Sequence, residues 1–132
     1  MQSKYRNKKV TAPDGSTFDS KKEYTRWCEL KLLERAGKIS DLQRQVKYQL
    51  LPTVYERYPR YSEKTGKRLK DGIVVIEKEC SYIADFVYTD HDAGGNMVVE
   101  DVKGYKKGAA YDLFVIKRKM MRHFYGIQIR EV

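Results

Sequence analysis

The sequence predicts one mixed α/β domain, with elements in the order helix, three strands, helix, strand. Three observations carry that reading. Two stretches place apolar residues at helical spacing, and each is closed by a glycine. Between and after them lie short β-branched or aromatic runs bounded by turn residues. The chain of 132 residues, 41% hydrophobic and 12% aromatic, suffices for a single core and argues against disorder.

Residues 1–9 carry Lys4, Arg6, Lys8 and Lys9 and read as a flexible basic arm. Residues 10–18 read as a small hairpin around Pro13-Asp14-Gly15, because proline presets φ and glycine accepts a positive one. Ser20-Lys21-Lys22-Glu23 has the S-x-x-E form of a capping box and opens the first helix. Tyr24, Trp27, Cys28, Leu30, Leu32, Leu33 and Ala36 give that helix a broad apolar face, and Gly37 ends it. Residues 45–50 alternate polar and apolar as a half-buried strand does. Residues 52–72 hold two prolines, two glycines and six Lys/Arg, and read as an insertion: a long loop or the end of an extended hairpin.

Residues 73–76 are a β-branched run, and 80–88 continue as a strand. There Ala84, Phe86 and Tyr88 should face one way, and Ile83, Asp85 and Val87 the other. After a turn at 91–96, residues 97–103 form the next strand. Leu113, Ile116, Met120 and Phe124 mark the apolar side of the second helix, with Lys117, Arg118, Lys119, Arg122 and His123 on its basic side. Gly126 closes it, and 127–130 alternate as a last strand.

The 27 Lys+Arg exceed the 18 Asp+Glu by nine, which points to a polyanionic partner. No apolar run of about 18 residues offers a membrane span, and nothing apolar follows the basic N-terminus as in a secretory signal. Cys28 and Cys80 read as two buried free thiols in a reducing cytoplasm. With His91 and His123 they show no zinc-site spacing.

Three charges sit where charge is costly. Asp85 lies inside an apolar strand, and Asp101 and Lys103 lie two apart on the next, so they share a face. If the two strands pair, Asp85 comes near Asp101. Two close carboxylates repel, and a shared proton or a divalent cation relieves them. A hard cation such as Mg²⁺ takes carboxylates, waters and phosphate oxygens, polarises a phosphate and activates a water. Lys103 could then orient that water or stabilise developing charge. Glu100 is on the opposite face from Asp101, so only one of them can meet Asp85 without a bulge. Its bland role is an ion pair with a basic residue of the second helix.

Asp85, followed by a strand ending Asp101-Val102-Lys103, resembles the D…(D/E)-x-K core of the PD-(D/E)XK nuclease superfamily. The order αβββαβ is similar to its restriction-endonuclease-like core, a mixed central sheet flanked by helices. Small phage-encoded members, resembling archaeal-type Holliday junction resolvases, share the character of FDSKKE, AGKISDLQ, YIADFVY and VVEDVKG. The resemblance covers residues 14–129 and implies an Mg²⁺-dependent DNA endonuclease, with Mn²⁺ able to substitute. It implies Glu23, Asp85 and Asp101 as metal ligands, the Val102 carbonyl as a further ligand, and Lys103 as the catalytic lysine. The plain readings are the capping box for Glu23, backbone amides or an arginine as partners of Asp85, and a surface ion pair of Asp101 with Lys103.

The resemblance also marks Gln45 as a polar position near the site; its plain reading is a solvated strand face. Arg57 and Arg60, interleaved with Tyr55, Tyr58 and Tyr61, suit stacking and backbone grip on nucleic acid, or else belong to a mobile insertion. Lys106, Lys107, Lys117 and Arg118 complete the expected nucleic-acid contacts. So small a nuclease would select branched DNA by shape, and symmetric cutting would require a homodimer. The alternatives are a non-catalytic nucleic-acid-binding module keeping the fold, and a basic RNA-binding protein, which leaves Asp85 unexplained.

Overall fold

The computed structural model describes residues 8–132. The expected basic arm falls mostly outside them; Lys8 and Lys9 are exposed. A miniature hairpin of β1 (Val10–Thr11) and β2 (Thr17–Phe18) precedes α1 (Lys21–Arg35). Then come β3 (Ile39–Leu51), β4 (Val54–Tyr61), β5 (Arg68–Glu77), β6 (Cys80–Asp90), β7 (Asn96–Asp101), α2 (Ala109–Tyr125) and β8 (Arg130–Glu131). The protein is thus mixed α/β, with a central sheet ordered β3-β6-β7-β8. The first three strands are antiparallel, and β8 lies parallel to β7. Among the described residues, no helix is long and apolar enough to cross a membrane.

The helices cover opposite faces. Toward α2, Phe114 and Met121 pack on Leu50, Tyr82, Ala84, Val87, Val99 and Ile129. Toward α1, Leu30 packs with Ile39, Phe86 and Tyr88, flanked by Trp27 and Leu33. The predicted alternation along β6 therefore breaks. Tyr82 and Ala84 face α2, but Phe86 and Tyr88, of the same parity, face α1, so the strand turns over at Asp85. Opposite it, Gln45 has φ 53°, a value that β3 tolerates only as a local irregularity.

Of the two readings of residues 52–72, the extended hairpin holds and the long loop does not: β4 and β5 form an antiparallel hairpin, set apart from the central sheet and including the 73–76 run. Three further expectations need correction. Leu113, Ile116 and Phe124 of α2 are about half exposed, while Phe114 and Met121 are buried. That helix carries apolar residues around much of its circumference, so spacing alone could not choose the buried face. On α1, Leu32 and Cys28 point outward; both cysteines are free thiols, but Cys28 is exposed. Finally, β7 stops at Asp101, and Lys103 lies beyond it. The chain there is held by reciprocal backbone bonds, Lys103 N–H to Val132 O and Val132 N–H to Asp101 O, both 2.9 Å.

The turns follow from local chemistry. Gly94 and Gly95, at φ 75° and 79°, make the β6–β7 turn, where a side chain would be strained. Ser20 caps α1, its Oγ accepting from the Glu23 amide at 3.1 Å.

Candidate active site

The site forms where β6 and β7 part. Their ladder ends at the Phe86–Glu100 pair. In place of a further rung, Asp85 Oδ2 accepts a 2.8 Å bond from the Val102 amide. The Asp85 side chain thus occupies the fork, as the overturn of β6 requires. Of the Val102 backbone it is the N–H that meets Asp85; the resemblance assigned metal ligation to the carbonyl.

Asp101, buried, is clamped from two sides. Lys103 Nζ lies 2.7 Å from Oδ1, and the Tyr82 hydroxyl donates to Oδ2 at 2.7 Å. The Lys103 ammonium also sits over the Phe114 ring, 3.5 Å from its centroid, which holds it in place. Glu23 comes from the first turn of α1 and is buried. Gln45 joins the two remaining acids: its Nε2 donates to Glu23 Oε1 at 3.3 Å and to Asp85 Oδ1 at 3.4 Å. Glu23, Gln45, Asp85, Asp101 and Lys103 are therefore one cluster.

Its electrostatics follow. Burial, then the Asp101 and Glu23 charges, push the Asp85 carboxyl up to about 7, against the pull of the Val102 amide and Lys103. Burial and the neighbouring Asp19 raise Glu23, while Arg44 opposes them. The Arg44 guanidinium is 3.9 Å from Glu23 and stacks on Phe18, 3.7 Å from the ring centroid. Burial, aided by Asp101, raises the Tyr82 phenol, which stays a donor.

Glu100 plays no part in this cluster. Fully buried, it takes two bonds from Arg26, at 2.8 and 2.7 Å, and one from the Tyr88 hydroxyl. Arg130 lies 3.9 Å away. The expected partner on the second helix is replaced by arginines of α1 and β8, because Glu100 faces α1 while α2 covers the other side of the sheet.

Among the described residues, no three His, Cys, Asp or Glu side chains are arranged to hold an ion as they stand. Both Asp101 oxygens are engaged, by Lys103 and Tyr82. The donor set still has the chemistry of a hard-cation site: three carboxylates, two of them pushed upward by burial and then by neighbouring acids. The Gln45 bonds that bridge two of them are long and weak.

The expected nucleic-acid contacts scatter. Only Gln45 lies in the cluster. Arg57 and Arg60 are exposed on β4, and Lys106 and Lys107 are exposed between β7 and α2. Lys117 is half-buried on α2, and Arg118 is paired with Glu131 at 3.1 Å. Tyr82, Arg44 and Lys22, whose Nζ donates to the Lys103 carbonyl at 2.6 Å, belong to the site and were not singled out in the sequence. No sequence signal marks Tyr82: three residues before Asp85, it falls on the opposite face of a regular strand.

The fold and cluster define a mixed α/β protein with a buried acidic group at a strand fork. Residues 2–131 match the family model described as "Protein of unknown function (DUF1064)", and the chain belongs to that family. No curated protein and no solved structure matches it.

Proposed function

We propose that this protein is an Mg²⁺-dependent endodeoxyribonuclease of restriction-endonuclease-like fold, acting in the cytoplasm on branched DNA such as a Holliday junction. The observation that carries the reading is the convergence of Glu23, Asp85 and Asp101 beside Lys103. A helix, two strands and a loop each contribute to it, at a cost in buried charge that a purely structural cluster would not need.

Glu23, Asp85, Asp101 and the Val102 carbonyl are the groups that would hold Mg²⁺ or Mn²⁺. Such an ion supplies Lewis-acid polarisation of a phosphate and a more acidic bound water. The chain's own residues do the rest. Lys103, fixed over Phe114, is placed to orient a water or to neutralise charge developing on a phosphate oxygen. Tyr82 holds the Asp101 side chain in place. Gln45 lies between Glu23 and Asp85 and donates weakly to both.

The test is cleavage of a synthetic four-way junction, a flap, linear duplex and single-stranded DNA, at low salt with Mg²⁺ or Mn²⁺. Wild type should cut the branched substrates best, and Asp101→Asn should reduce the rate by at least ~10²-fold. Failure to cut any substrate sinks the enzyme reading. DNA binding that is unchanged in EDTA, without cleavage, would select the non-catalytic module instead.

A further inference from the structure

We infer that the β4–β5 hairpin is an arm whose tip grips the phosphates of duplex DNA, entering the major groove away from the acidic cluster. This rests on the nucleic-acid half of the reading above and not on cleavage.

The hairpin divides into two parts. Its base is apolar and braced across the strands. Tyr55 pairs with Val75 and Arg57 with Ile73, and the Tyr58 ring lies against Gly72, so closely that a Cβ there would come within 2.1 Å of it. Such cross-strand contacts stabilise the ribbon, which pairs with no other strand among the described residues. The tip, residues 60–70, holds five Lys/Arg against one acid, Glu63.

Four of those five basic side chains are uncompensated. Arg68 pairs with Asp71 at 2.9 Å, but among the described residues Arg60, Lys64, Lys67 and Lys70 make no ion pair. By contrast Arg26, Arg44, Arg118 and Arg130 of the body all face carboxylates. Five basic residues against Glu63, 5 − 1 = +4, put nearly half of the chain's net +9 on this one segment.

The shape selects the ligand. Strands of eight and ten residues span up to roughly 25–33 Å, at about 3.3 Å per residue. A two-stranded ribbon fits the ~12 Å major groove of B-form DNA, whereas the A-form major groove is too narrow for it. Tip lysines then contact phosphates, which positions the protein without reading sequence.

The experiment is equilibrium binding of a fluorescent 30-base-pair DNA duplex, and of an RNA duplex of equal length, in EDTA across a salt series. The variant Lys64→Gln/Lys67→Gln/Lys70→Gln should bind DNA roughly tenfold or more weakly, with the log–log salt slope smaller by about three. The Lys→Arg triple at the same positions should bind like wild type. Thermal melting should be unchanged in both, because the tip packs on nothing. Unchanged DNA affinity and slope in the glutamine variant overturn the proposal. Equal losses on DNA and RNA overturn the groove assignment. Because EDTA stops any metal-dependent cut, an inactive enzyme leaves this result intact.

Discussion

Replacing Asp85 by asparagine should stabilise the protein at alkaline pH, although it removes a central residue of the site. In the folded protein this carboxyl is raised from 3.8 to about 7, chiefly by burial. The folded state therefore holds the proton more tightly than the unfolded chain does. The stability this lends is full below about 4 and is lost as pH rises through about 7. A displacement from 3.8 to about 7 corresponds to at most about 4 kcal/mol. Residual solvent access and the weaker bond that an amide oxygen accepts from Val102 N–H reduce the gain. A net gain of about 2 kcal/mol at pH 8 remains, equivalent to roughly 6–8 °C in melting temperature. At pH 4, where wild type is largely neutral at this position, the two proteins should melt within ~1–2 °C of each other. The assay is thermal denaturation from pH 4 to 8 in EDTA, repeated at pH 8 with Mg²⁺. Mg²⁺ should raise the melting temperature of wild type and not of Asp85→Asn. A variant less stable than wild type at pH 8, or a gain that does not depend on pH, would refute the reasoning.

Two other substitutions separate structural from chemical roles. Arg26→Ala strands the fully buried Glu100 carboxylate and should cost about 3–5 kcal/mol in urea denaturation. Asp101→Asn should lose cleavage with stability within ~1–2 kcal/mol of wild type, since the amide can still accept from Tyr82. Gly72→Ala displaces the Tyr58 ring, but that ring is half exposed and can swing aside. Global stability should change by under ~1 kcal/mol, while amide exchange in the β4–β5 hairpin should quicken.

Much of this architecture was legible because local chemistry and fold agreed. Ser20, Gly37, the Gly94-Gly95 turn and Gly126 bound the elements where expected. Asp101 and Lys103 pair as the D-x-K spacing suggested, although β7 ends at Asp101 and Lys103 lies beyond it, so strand alternation does not account for the contact. What sequence could not supply were events that break periodicity. The overturn at Asp85 and the positive φ of Gln45 are invisible to an alternation rule, yet together they put Asp85 in the fork. At 52–72, prolines and glycines left loop and hairpin both open, and the strands are exposed on both faces, so no buried stripe decided between them. On α2, apolar residues lie on several faces, so helical spacing picked the stripe of Leu113, Ile116 and Phe124, whereas packing buries Phe114 and Met121.

The adjacent acids Glu100 and Asp101 show how the site is held. Successive strand residues face opposite ways, so one side chain enters the α1 layer and the other the α2 side. Glu100 is spent on Arg26, and that bidentate, buried pair ties α1 to β7. Arg26 lies three residues after Glu23, hence on nearly the same face of the helix. Fixing Arg26 on Glu100 therefore also fixes where Glu23 is presented, beside Gln45 and Asp85. The charge that looks least catalytic sets the position of one that the proposed chemistry needs. Arg26→Lys, which keeps the charge but not the two-pronged bond, should accordingly weaken Mg²⁺-induced stabilisation more than it weakens the fold.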